Sequence, residues 1–153
     1  MTEVANLGVC RPPLVHGAAI VAGLLLERGW PLPFLPDALA APLGGLLVLL
    51  AVALFLYSVR TFRLAGTPVP GNRPTTAIVR TGPYRFSRNP IYVAFCLFQA
   101  GTASWLNSTW LIATLVAAVA LMAYVVIPRE ERYLERRFGA GYLDYKRSVR
   151  RWL

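Results

Sequence analysis

The chain has 153 residues, of which 56% are hydrophobic and only 15% charged, and it carries a formal net charge of +9 at pH 7. A soluble domain usually has about 25% charged residues, so this composition excludes an ordinary soluble domain and indicates an integral membrane protein. The single histidine, His16, and the two cysteines, Cys10 and Cys96, form no ligand or disulfide spacing, and the carboxylates are scattered, so no metal site is expected.

Four apolar stretches follow in chain order. Residues 14–26 make the weakest candidate span, long enough to cross only if Pro13 and the Glu27-Arg28-Gly29-Trp30 end lie in the interface. Residues 39–57 make a clear one, interrupted only by Pro42 and Gly44-Gly45 and stopped by Arg60 and Arg63. Residues 90–106 include Gln99, Gly101, Thr102 and Ser104, polar or small groups that should face protein rather than lipid. Residues 109–127 are separated from them only by Asn107 and Ser108, which predicts a tight antiparallel hairpin ended by Pro128. Four spans of about 20 residues take roughly half the chain and leave no second core, so 1–153 is read as one domain. The expected fold is all-α: a polytopic membrane helix bundle of about four transmembrane helices with a cytoplasmic C-terminal amphipathic helix.

Charge sets the expected orientation, because Lys and Arg in short loops stay cytoplasmic. Residues 59–89 carry Arg60, Arg63, Arg73, Arg80, Arg85 and Arg88 with no acid, whereas 27–41 hold Arg28 against Glu27 and Asp37. Both termini and the active site are therefore expected in the cytoplasm, with the protein in a bacterial inner membrane. Glu3 and Arg11 near the start argue against a cleaved signal peptide. Membrane lipids account for the basic residues, each attracted to anionic head groups by about 1 kcal/mol, and no nucleic-acid partner is expected.

Two polar segments carry the chemistry. Thr67-Pro68-Val69-Pro70-Gly71-Asn72-Arg73-Pro74 reads as extended and turn-rich, and Thr81-Gly82-Pro83-Tyr84 as a turn whose glycine lets the backbone approach a ligand closely. Arg88-Asn89-Pro90 opens the third helix. Beyond the fourth stretch, Glu130 and Glu131 lie near the membrane surface, where carboxylates need cationic partners, and Arg129 and Arg132 are the nearest in sequence. Leu134, Phe138, Tyr142, Tyr145 and Val149 recur near helical spacing and suggest one packed amphipathic stripe. An ordinary interfacial loop and a packing tail remain alternatives on pattern alone.

The run Gly66 to Pro70, then Arg80-Thr81-Gly82-Pro83-Tyr84-Arg85-Phe86-Ser87-Arg88-Asn89-Pro90-Ile91-Tyr92, then Glu130-Glu131-Arg132-Tyr133-Leu134-Glu135-Arg136-Arg137-Phe138-Gly139 and Tyr142-Leu143-Asp144-Tyr145, resembles the isoprenylcysteine carboxyl methyltransferase and phospholipid methyltransferase superfamily. The resemblance covers about residues 60–152 and implies S-adenosylmethionine bound at the cytoplasmic face, with a lipidic or prenylated acceptor entering from the bilayer. Carried over by motif, Val79, Thr81, Gly82, Tyr84, Asn89, Pro90, Tyr92 and Glu131 form the cofactor wall. Glu130 is placed beside them, among the catalytic group with Arg137 and Arg136. Arg137 matches an arginine that orients an acceptor carboxylate in the carboxyl methyltransferases, with Arg136 as its nearest substitute. Many members have histidine where this chain has Asn89, which removes an imidazole from that position. His16, the lone histidine of a candidate span, is a functional candidate by the cost of placing it there, and a helix-to-helix hydrogen bond is the preferred reading of it.

Methyl transfer to a carboxylate or thiolate needs no strong base, and the sequence shows no dedicated one, which favours O-methylation of a carboxylate over N-methylation of a phospholipid amine. A membrane reductase of the sterol-reductase type using NADPH, and a non-enzymatic lipid-binding membrane protein, remain rival readings. Oligomeric state leaves no trace in the sequence.

Overall fold

The computed structural model describes residues 11–69 and 75–153. The expectations placed on Glu3, Cys10 and the 70–74 turn, including Arg73, lie outside the described residues. Within them the secondary structure is helical: α1 (Pro12–Gly29), α2 (Asp37–Leu64), α3 (Pro90–Trp105), α4 (Thr109–Leu121), α5 (Ile127–Phe138) and α6 (Ala140–Ser148), with a 3-10 turn at Gly82–Arg85 and a π-turn at Met122–Val126.

Among the described residues, two helices are long and apolar enough to cross a membrane: α2, with 28 residues, and the continuous stretch Thr109–Phe138, with 30. At 1.5 Å per residue α2 is about 42 Å long, more than the roughly 30 Å hydrocarbon layer. It runs unbroken through Pro42. α1 and α3, with 18 and 16 residues, are shorter and pack on the long pair, α1 against α4 and α3 against both α2 and α4.

Apolar and polar residues are distributed inside out. Leu49 is 70% exposed, and Leu39, Leu46, Leu50 and Leu56 also point outward, while Gln99, Ser58 and Ser108 are fully buried. In water this would be a large aggregation-prone patch; facing lipid it is the expected arrangement. Ser58 Oγ donates within α2 to Leu54 O at 2.7 Å, whereas Gln99 pairs between helices. His16 Nδ1 lies 2.9 Å from Gln99 Oε1, and Gln99 Nε2 donates to Leu111 O and Thr114 Oγ1, each at 3.3 Å. This ties α1, α3 and α4 together at one level, as the cost of an unsatisfied group in an apolar bundle requires.

α2 and α3 approach closely where both carry glycine. A Cβ at Gly44 would lie 2.5 Å from Trp105 N, and one at Gly101 2.8 Å from a Val48 methyl, so neither position has space for a side chain. At the adjacent end of the bundle, Asn107, with φ of 50°, turns α3 into α4 and accepts from the amides of Phe34 and Leu35 at 3.0 and 2.8 Å. Ser108 Oγ donates to Glu27 Oε2 at 2.6 Å and caps α4 by accepting from Leu111 N at 3.3 Å. The two connections at this end are therefore stapled to one another, and the opposite end carries the long loop and the charged tail.

The fourth helix does not stop at Pro128. Proline removes a donor and crowds the preceding turn, and here the turn before it opens into a π-turn, with Ile127 N–H donating to Met122 O. The chain thereby continues into α5 in the same direction. The tail then divides, because Gly139, with φ of 53°, ends α5 and starts α6. The single stripe expected from Leu134 to Val149 is thus two helices followed by an extended segment, with Val149 at φ −126° and ψ 137°.

Candidate functional site

A cavity of about 560 Å³ opens at the end of the bundle where the 75–89 loop, the start of α3, α5 and α6 converge. Its size falls in the about 300–1,000 Å³ range of small-molecule sites. One side is apolar: Pro12, Pro13 and Leu14 from α1, Phe55, Val59 and Phe62 from α2, and Ile91 and Phe95 from α3. The other side is polar, with Tyr84, Arg88, Asn89, Tyr92, Glu130, Glu131, Tyr142 and Tyr145.

Glu130 and Glu131 are both buried, 6% and 5% exposed. Successive helix positions point about 100° apart, so burying both requires the loop, α3 and the tail to wrap a wide arc of α5. They meet different partners. Glu130 Oε2 accepts from the Tyr92 hydroxyl at 2.6 Å, and its Oε1 is buried without a partner. Burial pushes the Glu130 carboxyl up to about 7, against the opposing Tyr92 hydrogen bond and with the Glu131 charge adding to the rise.

Glu131 is enclosed by cations. Arg88 Nη1 donates to Oε1 at 2.8 Å, Arg151 Nη2 to Oε2 at 3.0 Å and Arg151 Nε to Oε1 at 3.2 Å, and Lys146 Nζ lies 3.2 Å from Oε2. Burial alone would raise its pKa; the Arg151 hydrogen bonds, the Arg88 charge and Lys146 outweigh it and hold the carboxyl below its ordinary value. The partners are therefore distant in sequence, and Arg129 and Arg132, the neighbours expected to serve, are exposed.

The loop is fixed by tyrosines. The Tyr84 ring meets Phe62 edge-on at 4.8 Å, and Tyr145 OH donates to Tyr84 O at 2.7 Å. The Tyr84 hydroxyl is buried, and burial, followed by nearby Tyr145, raises its pKa against a Ser58 hydrogen bond. Burial likewise raises Tyr142, to about 12, and Tyr145.

Of the residues assigned from sequence, Val79, Tyr84, Asn89, Pro90, Tyr92, Glu130 and Glu131 come together on the cavity wall. Thr81, Gly82, Arg136 and Arg137 are not among its lining residues. Gly82, with φ of 57°, is needed for a different contact than expected: a Cβ there would lie 2.9 Å from Thr61 Oγ1, so it seats the loop on α2. Arg137 is exposed and donates from Nε to Thr75 O at 2.6 Å; Thr75 does line the cavity. Arg88, Phe62, Tyr142 and Tyr145 were not assigned to the site. Arg88 carried a signal, since it is the last cation before Asn89-Pro90.

These features define a class: a membrane protein, helical over its described residues, with a cavity of small-molecule size, partly apolar and partly polar, at one end of its bundle. A family model described as phospholipid methyltransferase matches residues 39–141, well over half of the chain. The chain belongs to the phospholipid methyltransferase family. It is 39% identical over 77 residues to the nickel-cobalt-cadmium resistance protein NccN of Alcaligenes xylosoxydans xylosoxydans, covering 50% of this chain and 36% of that one. It is 34% identical over 74 residues to protein-S-isoprenylcysteine O-methyltransferase A of Arabidopsis thaliana, covering 47% of this chain and 36% of the relative. An uncharacterized protein of Haemophilus influenzae matches over its whole length at 33% identity, across 41% of this chain. The chain thus spans about a third of NccN and of the Arabidopsis enzyme. No solved structure matches.

Proposed function

We propose that this protein transfers a methyl group from S-adenosylmethionine to a lipid-soluble acceptor whose reactive end enters the cavity from the bilayer. The observation that carries the proposal is the pair of buried, unpartnered atoms on residues of the polar wall, Glu130 Oε1 and Arg88 Nε. A free acceptor and a free donor on residues that line one cavity complement a zwitterion. The residues fit the cofactor: Glu130 would take its ammonium, Arg88 its carboxylate, and the tyrosine-lined wall its ring system. When bound there, the cofactor supplies an electrophilic methyl on a sulfonium that leaves as a neutral thioether.

The chain's own residues then act by placement and exclusion of water. The Tyr92 hydroxyl fixes Glu130, the three cations fix Glu131, and Phe55, Val59, Phe62 and Phe95 keep the opposite side dry for an apolar acceptor. With Glu130 committed to the cofactor, the remaining acid-base groups are tyrosines whose pKa burial has raised, which are poor bases at neutral pH. An acceptor that arrives already nucleophilic fits this wall best, and a lipidic or prenylated carboxylate is the reading we favour. Arg11, which lines the cavity beside Pro12, offers it a cation; Arg137 and Arg136 lie off the wall.

A phospholipid amine is the second reading. It is favoured by the Glu130 carboxyl near pH 7, suited to accepting a proton from an ammonium. The loop charges further support a cytoplasmic cavity and cytoplasmic termini in a bacterial inner membrane. The test is transfer of label from methyl-labelled S-adenosylmethionine to a prenylcysteine analogue and to phosphatidylethanolamine, assayed side by side. Label in the prenylcysteine ester supports the first reading, label only in the head-group amine the second, and no label in either contradicts both.

A further inference from the structure

The segment 149–153 runs back across the mouth of the loop and bridges two walls of the cavity that are far apart in sequence. Arg88 N donates to Arg150 O at 2.9 Å, beside a parallel bridge between Ser87 and Arg150. Asn89 Nδ2 donates to Arg151 O at 2.9 Å, while the Arg151 guanidinium reaches both Glu131 oxygens at 3.0 and 3.2 Å. Trp152 packs against the buried apolar cluster that contains Phe62, Tyr84 and Tyr92. One residue, Arg151, therefore holds Asn89 through its backbone and Glu131 through its side chain.

We infer that Arg151 is a positioning residue: it sets Glu131 and the Arg88-Asn89 turn in register with one another, and the 149–153 strap acts as the clasp of the cofactor site. Three points support this role. The contact is forked, two N–H groups on one carboxylate, which fixes direction as well as charge in a way Lys146, a single ammonium, does not. Asn89 makes no side-chain cap on α3; its amide is turned to the strap instead. The Arg88 amide also has its partner on the strap, so a loosened strap releases both residues preceding Pro90.

The cofactor arm of the test rests on the methyltransferase reading, and the exchange arm does not. Arg151→Ala, Arg151→Lys and Arg147→Ala are compared in detergent by hydrogen–deuterium exchange over 84–92 and by the KM for S-adenosylmethionine against kcat. Arg147 is the control, because it is exposed and its ion pair is with Asp144, away from Glu131. Arg151→Ala is expected to speed exchange at Arg88 and Tyr92 and to raise KM about tenfold, with kcat within about twofold, as for loss of the forked contact of a partly exposed side chain while Arg88 and Lys146 still hold Glu131. Arg151→Lys should recover part of the KM, and Arg147→Ala should match wild type. Unchanged exchange over 84–92 in Arg151→Ala overturns the inference, as does faster exchange with an unchanged KM. Faster exchange in a protein that binds no S-adenosylmethionine even as wild type upholds the clasp and instead contradicts the proposed function.

Discussion

The Tyr92 hydroxyl donates to Glu130 Oε2 at 2.6 Å and leaves Oε1 of the same carboxylate buried without a partner. One hydrogen bond satisfies half of the group, so the ionised form is costly until a cation arrives. This pairing makes pH a direct probe of the site.

Glu130 has an ordinary carboxyl value of 4.5 when unfolded and about 7 when folded. The folded protein therefore holds the proton more tightly, and the stability this contributes is full below 4.5 and is lost as pH rises through about 7. The loss is on the order of 3 kcal/mol. Ligand-free wild type should melt at lower temperature as pH is raised across this window, and Glu130→Gln, which keeps the shape without the charge, should flatten the slope. An unchanged slope in Glu130→Gln would assign the titration elsewhere.

Glu131→Gln removes the counter-charge shared by Arg88, Lys146 and Arg151 and leaves three cations facing one another. Breaking a buried pair in this way costs about 3 kcal/mol. The expected result is a lower melting temperature at every pH tested and weaker binding of S-adenosylhomocysteine. Arg137→Ala, whose target is the backbone of Thr75, should leave that binding near wild type.

The glycine crossing predicts a packing defect with no chemical component. Gly101→Val would place methyls against Val48 and Gly44 O, already 2.8 and 3.0 Å from a bare Cβ, and should destabilise by about 2 kcal/mol or more. Gly17→Ala, inside α1 with nothing within 4 Å of its Cβ, is the control and should melt at or slightly above wild type.

Much of this architecture can be read from hydropathy. The stretches 39–57 and 109–127 fall inside α2 and the Thr109–Phe138 helix because long apolar runs admit few other structures. Gln99 and Ser104 turn inward, as the cost of polar groups against lipid demands, and the His16–Gln99 contact follows from the same rule. The partners of Glu131 were not legible. Arg88 and Arg151 lie 43 and 20 residues away, and only the return of the strap brings them to one carboxylate. The division of the tail had a visible sign in Gly139, a residue suited to positive φ, but the periodic stripe across it suggested one helix. The π-turn had a sign in Pro128, which needs the preceding turn to widen if the helix is to continue. Arg137 was assigned by motif position, which carries no information on where an exposed side chain points.

The central claim, that the cavity takes S-adenosylmethionine, is tested most directly by thermal unfolding of the detergent-solubilised protein with S-adenosylhomocysteine and, separately, with NADPH. A ligand that binds only the folded state stabilises it by about 2.7 kcal/mol at 100 times its dissociation constant. A saturable rise of that kind with S-adenosylhomocysteine, reduced in Glu130→Gln and absent with NADPH, is the predicted result; a rise with NADPH and none with S-adenosylhomocysteine would contradict the account.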